Sequence, residues 1–265
     1  MIHYQNENIT VFQSALYKTT TTLIETTDAV ILVDPNWLPN EVDEIKSYVG
    51  RVLNNRKLYL IFTHSDFDHI IAAGAFPNAT VIASKAFANN PNKEHDVQQI
   101  KKFDAQYYLT RNYSIYYPTV DMVIEEDGQK LELASLTFIF YLAPGHTNDG
   151  LFTIVEQQGI LLAGDYLSDV EFPFIYSSYA DYVATMEKAE GIFHKHGIHT
   201  LVPGHGTVTT KPSEIAERIM ASKMYLQSLV NLDSKLEGHL QKKYRFFDGM
   251  KDAHHRNLDM VKMEE

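Results

Sequence analysis

Two histidines and two aspartates lie within the stretch Thr63-His64-Ser65-Asp66-Phe67-Asp68-His69. It follows directly on the apolar run Leu58-Tyr59-Leu60-Ile61-Phe62. Such an apolar run is typical of a buried strand. In an extended chain the side chains of residues 64, 66 and 68 point to one side, and His69 adds a second direction where the chain turns into a helix. Four potential metal ligands therefore emerge together at the end of one buried strand.

The two aspartates of this stretch argue against an ordinary polar loop. Burying two carboxylates so close together without cations would cost several kcal/mol, because like charges repel and desolvation is expensive. A lone histidine would carry little information about function. Two histidines and two aspartates within six positions, at the end of an apolar strand, predict a metal site.

Three further apolar runs end in a similar way. They are Leu142-Ala143-Pro144-Gly145-His146, Leu161-Leu162-Ala163-Gly164-Asp165 and Leu201-Val202-Pro203-Gly204-His205. Each run delivers one potential ligand beside a glycine, which lets the backbone approach closely. Each is a weak signal alone, but together and in this order they predict one site built from several strand ends.

The amino-acid composition narrows what such a site could bind. Because the chain has no cysteine, a metal would have to be held by nitrogen and oxygen atoms of His, Asp and Glu. The chain carries 23 basic and 34 acidic side chains, a net charge of −11, which disfavours nucleic-acid binding. The sequence shows no apolar run near the roughly 20 residues of a membrane span and no secretory signal. We therefore expect a cytoplasmic protein with a small-molecule substrate and no membrane partner.

The order of strand-like and helix-like runs predicts a single α/β sandwich domain over residues 1–210. Residues 86–118 form a polar, partly helical insertion that is rich in tyrosine. Residues 211–265 have a mostly helical pattern, and we expect a C-terminal extension packed on the same domain. The segment 220–240 could also pack on a second copy of the chain, so a homodimer stays open. The pair His254-His255 is expected on a solvated face.

The order of the ligands resembles that of the metallo-β-lactamase-fold superfamily, in which His-x-His-x-Asp-His is followed by a His, an Asp and a final His. The resemblance covers residues 5–210 and implies a four-layer αββα sandwich with a helical C-terminal extension. It also implies two divalent metal ions. The first would be held by His64, Asp66 and His146, the second by Asp68, His69 and His205, and Asp165 would bridge the two.

The same resemblance implies a hydrolase. Its nucleophile would be a metal-bridging hydroxide that attacks an ester, a lactone or a similar bond of a small substrate. Asp68 would be the catalytic residue that orients the hydroxide and passes a proton to the leaving group. One metal would polarise the attacked oxygen and stabilise the charge that develops on it.

One ligand position departs from the pattern, because Asp66 stands where most hydrolases of this superfamily have histidine. Two divalent ions contribute +4, and Asp66, Asp68, Asp165 and a bridging hydroxide contribute −4, so the centre would be neutral. The extra carboxylate weakens the expected Lewis acidity. It also shifts the preferred metal from zinc towards iron or manganese.

This departure leaves two alternatives to hydrolysis open. An acidic residue at the same position is similar to the diiron flavoproteins of the superfamily, which reduce oxygen or nitric oxide. The sequence has no flavin-binding domain, so such a role would need a separate electron donor. The other alternative is a sensor or binding protein whose altered centre has lost catalysis.

Aromatic residues surround the predicted ligands in the sequence. Tyr166, Phe174 and Tyr176 follow the bridging aspartate, and five tyrosines lie between residues 107 and 117. We expect Tyr166, Phe174 and Tyr176 to bind a small, partly apolar substrate. Ordinary packing of the C-terminal helices is the alternative for these aromatics. The lactonase subtype has a tyrosine three residues after the bridging aspartate, where this chain has Ser168, so that subtype is not supported.

Overall fold

The computed structural model describes residues 1–231 and 233–264, and its strands form two mixed sheets. The seven-stranded sheet contains, in spatial order, β1 (Ile2–Gln5), β2 (Ile9–Gln13), β3 (Thr20–Glu25), β4 (Ala29–Val33), β5 (Lys57–Ile61), β6 (Thr80–Ser84) and β7 (Met122–Ile124). The five-stranded sheet contains, in spatial order, β12 (Thr200–Val202), β11 (Ile160–Leu162), β10 (Leu151–Val155), β9 (Leu136–Leu142) and β8 (Gln129–Leu133).

The helices lie outside this pair of sheets. In the described residues the α-helices are α1 (Pro39–Leu53), α2 (Phe67–Ile70), α3 (Lys85–Ala88), α4 (Lys93–Gln106), α5 (Tyr179–Lys195), α6 (Pro212–Val230), α7 (Leu236–Lys243) and α8 (Phe247–Glu264). None of these helices is long and apolar enough to cross a membrane.

The strands of both sheets are buried on two faces. In β4, Ile31 and Val33 face the other sheet, whereas Val30 and Leu32 pack with α1. In β10 the same alternation sends Leu151 and Val155 to the other sheet and sends Phe152 and Ile154 towards α5 and α6. Continuous apolar strands of this kind require cover on both sides. The layers are therefore helix, sheet, sheet, helix, which confirms the predicted αββα sandwich.

The strands that precede the predicted ligands all end at one edge of the sandwich. Strands β4 and β5 are parallel neighbours, and so are β11 and β12. Strand β9 runs in the same direction as β11, because each is antiparallel to β10. The carboxyl ends of parallel strands meet at the same edge of a sheet, where loops can carry functional residues.

Helices α6, α7 and α8 cover the outer face of the five-stranded sheet. Helices α6, α7 and α8 contribute buried apolar side chains to the same cluster as β9 and β10. The described residues thus end in a helical C-terminal part, as predicted. The boundary at residue 210 stays a prediction.

Two local expectations from the sequence differ from the structure. The pattern after the ligand stretch predicts a helix from about Asp68 to Ala75, but α2 ends at Ile70 and a separate 3-10 turn covers Ala73–Ala75. The solvated face expected for His254 is wrong. His254 is buried on α8, where its Nδ1 atom lies 3.0 Å from the hydroxyl of Tyr225.

Candidate metal centre

Seven predicted ligand residues converge at this edge, in two groups. The first group contains His64, Asp66, His146 and Asp165, with one ligand atom of each lying within 4.8 Å of the others. The Nε2 atom of His146 lies 3.2 Å from a carboxylate oxygen of Asp66 and 3.2 Å from one of Asp165. The Nε2 atom of His64 lies 3.8 Å and 3.6 Å from the same two oxygens. This group consists of the three ligands predicted for the first ion and of Asp165, the predicted bridging ligand.

The second group contains Asp68, His69 and His205. The Nε2 atom of His205 lies 3.4 Å from an Asp68 oxygen, and that of His69 lies 3.4 Å from His205 Nε2. Asp165 also reaches this group, because its Oδ1 atom lies 3.0 Å from His69 Nε2 and its Oδ2 atom 3.3 Å from His205 Nε2. Asp165 thus lies between both groups, where a bridging ligand is expected.

A glycine permits the close approach of two of these strand ends. A Cβ atom on Gly204 would lie 2.3 Å from Asp165 Oδ1 and 2.8 Å from the carbonyl carbon of Gly164. A side chain at position 204 would therefore collide with the central carboxylate. The Pro-Gly-His sequence places its glycine where β11 and β12 bring the two ligand loops together.

Asp34 holds the second group from behind, although the sequence pattern indicates only a turn at this position. Its Oδ2 atom lies 2.9 Å from His69 Nδ1 and accepts a hydrogen bond from the Thr63 hydroxyl, while Oδ1 accepts one from the Thr63 amide. Because a carboxylate can only accept here, Nδ1 of His69 is the donor and Nε2 faces the ligand group. Asp34 has a positive φ of 46°, a conformation uncommon outside glycine that the surrounding bonds maintain.

The other three histidines are oriented in the same way. Nδ1 of His146 lies 2.8 Å from the Phe174 carbonyl oxygen, and Nδ1 of His205 lies 3.0 Å from the Tyr17 carbonyl oxygen. The Thr63 hydroxyl already donates to Asp34, so it accepts from Nδ1 of His64 at 3.0 Å. Each ring therefore donates through Nδ1 to a partner outside the site, which leaves Nε2 to point inwards.

The electrostatics of the cluster show that it requires positive charge. Burial alone would lower the pKa of His69, His146 and His205, but the surrounding carboxylates outweigh it and raise all three, that of His205 to about 10. Burial would raise the pKa of Asp165, yet the neighbouring histidines hold it well below its ordinary value. The carboxylates stay ionised only while protons or other cations face them.

The donor set fits divalent metal ions. One atom in the centre of the cluster, His64 Nε2, is buried without a hydrogen-bond partner. Imidazole nitrogens and carboxylate oxygens are ligands of zinc, iron and manganese. A metal would take the inward lone pairs that have no proton donor to face, and it would replace the protons on the histidines.

A second carboxyl group missed by sequence reasoning lies beside the cluster. Glu171 Oε1 is 3.9 Å from His205 Nδ1, and burial raises the pKa of this carboxyl to about 7. The only sequence signal for it is its position six residues after Asp165, in a loop with no regular pattern. Its placement makes it a further acidic group at the side of the centre.

The three predicted substrate-binding aromatics are placed differently. Tyr176 is 44% exposed, and its ring centre lies 5.0 Å from that of His146. Phe174 is partly buried beside it, with ring centres 6.2 Å apart. Tyr166 is buried, and its hydroxyl accepts from the His146 amide while donating to the Ala143 carbonyl. A substrate-binding role stays a prediction for all three, and the placement of Tyr166 favours holding the His146 loop.

The fold and the site together define a class: an αββα sandwich with a histidine and aspartate cluster at the edge where its strands end. Comparison with protein families shows which family of this class the chain belongs to. The sequence model of the metallo-beta-lactamase superfamily matches residues 16–215, so the chain belongs to that superfamily. A comparison with curated protein sequences gives no match.

Solved structures with the same fold cover most of the chain at low sequence identity. A metallo-beta-lactamase family protein from Thermus thermophilus shares 19% identity over 94% of this chain and 92% of its own, with a TM-score of 0.65. A sec-alkylsulfatase from a Pseudomonas species matches 91% of this chain and 43% of its own, at 11% identity and a TM-score of 0.69. Rubredoxin oxygen:oxidoreductase from Desulfovibrio gigas matches 86% of this chain and 62% of its own, at 13% identity and a TM-score of 0.58. At these identities the likeness concerns the fold alone.

Replacing Asp34 with asparagine tests its hold on the ligand group. If the new side chain directed its NH₂ group at His69, Nδ1 would become an acceptor and the ring proton would move to Nε2, where a metal would have to bind. We expect Asp34→Asn to weaken zinc binding about 10- to 100-fold in a titration against a chromophoric chelator. Asp28→Asn is the control, because Asp28 is exposed and precedes β4 whereas Asp34 follows it; this variant should leave the zinc affinity unchanged. Equal affinities in the two variants would contradict this role.

The raised pKa values of the histidines predict how metal affinity depends on pH. In the metal-free protein the pKa of each of these histidines lies above the ordinary value, so the rings stay protonated to a higher pH. Zinc must therefore displace protons even in mild alkali. We expect zinc affinity to keep rising from pH 6 to pH 8, with proton release on binding. Calorimetry in two buffers of different ionisation enthalpy measures both. An affinity that levels off above pH 7 would indicate histidines of ordinary pKa.

Proposed function

We propose that the protein is a metal-dependent hydrolase that cleaves an ester, a lactone or a similar bond of a small, partly apolar substrate. The observation that carries the proposal is the position of Asp165 between two ligand groups whose histidines all direct Nε2 inwards. His64, Asp66 and His146 would hold one divalent ion, and Asp68, His69 and His205 a second. When bound, the ions would supply the Lewis acidity that activates water and stabilises negative charge on the attacked oxygen.

Asp68 is the chain's own proton carrier in this proposal. Its side chain is 10% exposed, and its Oδ2 atom lies at the edge of the second group, 3.4 Å from His205 Nε2 and 3.7 Å from His69 Nε2. A carboxyl group at the edge of the site can accept a proton and return it within one reaction. Asp68 would take the proton of the attacking water and deliver it to the leaving group, so that no net proton is gained or lost by the residue.

Aromatic side chains around the cluster support a partly apolar substrate. Tyr176 and Phe174 lie on the His146 side of the cluster. Tyr17 is 54% exposed and lies on the His205 side. Tyr17 also supplies the carbonyl that orients His205. The guanidinium carbon of Arg256 lies 5.8 Å from the Tyr176 ring centre, which adds a positive charge beside an otherwise acidic site. Exposed rings beside a polar centre are typical of small-molecule sites.

Substitutions of two tyrosines distinguish a role in substrate binding from a role in packing. Tyr176→Ala removes a half-exposed ring beside His146, so we expect KM to rise about fivefold, equivalent to about 1 kcal/mol of lost apolar contact, with little change in melting temperature. Tyr113 packs against α1 and α4 and accepts a hydrogen bond from Arg111. Tyr113→Ala should therefore lower the melting temperature and leave KM unchanged. A Tyr176→Ala variant with wild-type kinetics and a lowered melting temperature would assign that ring to packing.

A redox enzyme is the second candidate, and Asp66 is the observation that favours it. The carboxylate of Asp66 joins the first ligand group, where it adds negative charge to the centre and makes it better suited to iron. In the described residues after 211, α6, α7 and α8 pack on the five-stranded sheet. For the redox candidate we propose a separate protein as the electron donor.

Metal analysis followed by activity assays distinguishes the two candidates. The hydrolase proposal expects two divalent ions per chain and cleavage of esters or lactones that a chelator abolishes and added zinc or manganese restores. Asp68→Asn should lose most of the cleavage, because an amide cannot carry the proton, and it should weaken the second site only, since His69, His205 and Asp165 remain there. The proposal fails if iron dominates in protein purified without added metal and oxygen is consumed when a reductant is supplied.

A further inference from the structure

The last helix of the described chain reaches the candidate metal centre through a buried asparagine. Asn257 lies on α8 and is 0% exposed. Its Oδ1 atom accepts a hydrogen bond of 2.9 Å from the amide of Ile175, and its Nδ2 atom donates at 2.6 Å to the carbonyl oxygen of Pro173. The side chain therefore holds the backbone on both sides of Phe174.

The peptide between Phe174 and Ile175 links Asn257 to a predicted metal ligand. The carbonyl of this peptide belongs to Phe174 and accepts the Nδ1 proton of His146 at 2.8 Å. A trans peptide is planar, and its N–H and C=O groups point in opposite directions. When Asn257 fixes the N–H of Ile175, 82 residues earlier in the chain, it also fixes the direction of the Phe174 carbonyl on the other side of the peptide.

The amide of Asn257 can take only one orientation here. Besides the bond to Pro173, Nδ2 donates at 2.8 Å to the hydroxyl of Tyr225 on α6, so both of its hydrogens are used. The Tyr225 hydroxyl lies 3.0 Å from Nδ1 of His254, and burial lowers the pKa of that histidine, which favours the neutral ring as an acceptor. The donors are thus committed to Pro173 and Tyr225, and Oδ1 alone remains for Ile175.

We propose that Asn257 is a positioning residue for His146, and that α8 thereby belongs to the metal centre although it contributes no ligand. The chain of hydrogen bonds runs from Asn257 through the 174–175 peptide to the imidazole, and it keeps Nε2 directed at Asp66 and Asp165. Each bond in such a chain polarises the next, so the same contact makes the His146 ring a better electron donor. This inference rests on the proposed binding of metal ions by the first ligand group.

Replacing Asn257 by leucine removes both contacts with the loop, and the bond to Tyr225, with little change of volume. We expect Asn257→Leu to lower the zinc affinity of one of two sites about tenfold, at the lower end of the range for outer-shell residues. The affinity of the other site should stay within about threefold, because His69 and His205 are oriented by Asp34 and Tyr17 instead. The site that weakens should be the one that His146→Asn abolishes.

Tyr225→Phe is the matched control for a merely structural role. It removes the neighbouring buried hydrogen bonds to Asn257 and His254 and leaves both contacts of Asn257 with the loop. We expect it to lower the melting temperature while both zinc affinities and the visible spectrum of the Co²⁺-loaded protein stay at wild-type values. In Asn257→Leu the Co²⁺ spectrum should change, because the ligand field at one site changes.

The outcomes separate this inference from the proposed function. Two wild-type zinc affinities in folded Asn257→Leu would overturn it, and so would an equal loss at both sites. If that variant does not fold, Asn257→Asp takes its place: a carboxylate oxygen cannot stay 2.6 Å from the Pro173 carbonyl, so the loop must shift and the same selective loss is expected. A wild-type protein that binds no zinc would overturn the proposed function, and the inference with it.

Discussion

The structure depends on one electrostatic constraint: three carboxylates and four imidazole rings share a small buried volume at the edge of a sandwich. Lone pairs from both kinds of side chain point into that volume, with heavy atoms 3.0 to 3.8 Å apart. Such an arrangement is stable only when cations lie among the lone pairs. Protons on the histidines satisfy the constraint in the metal-free chain, and the raised pKa values of His69, His146 and His205 follow from it.

Most of the local structure around the site serves to keep four Nε2 atoms directed inwards. The acceptors behind the rings are of different kinds: a carboxylate for His69, a hydroxyl for His64, and backbone carbonyls for His146 and His205. They lie in the loops after several strands and in the segment before α5. Because Asp34, Thr63 and the Phe174–Ile175 peptide are themselves held by neighbouring groups, the orientation of their rings is distributed through the fold and does not depend on the ligand loops alone.

The sequence predicts the features that depend on side-chain type and misses those that the backbone supplies. The ligand positions are visible because apolar runs end in His or Asp, and the sheets are visible because those runs are apolar on both faces. Asp34 follows a run of the same kind, but Asp-Pro is also an ordinary turn signal, so its hydrogen bonds to Thr63 and His69 could not be inferred. The carbonyl of Phe174 has no signal at all, since every residue has a carbonyl.

The C-terminal helices show a related limit. The buried stripe of α8 repeats at helical spacing through Phe247, Ala253, His254, Asn257 and Val261. A histidine and an asparagine in that stripe look solvated in the sequence, because polar side chains are buried only when partners satisfy them. Here the partners are Tyr225 and two backbone groups that lie more than 80 residues away from Asn257. Pattern analysis within one helix cannot identify such partners.

The family is easier to assign than the reaction, because the fold is shared by proteins with different activities. The sandwich is shared with proteins whose names describe sulfate-ester cleavage and oxygen reduction, at identities of 11% and 13%. In this chain, the charge of the centre and the groups beside it are set by Asp66, Glu171 and the aromatic ring of Tyr176. Asp66 adds one negative charge to the first ligand group, and Glu171 adds a carboxyl group with a pKa of about 7 next to the second. The fold fixes where ions would lie, whereas these few side chains and the loop held by α8 set how strongly the centre attracts them.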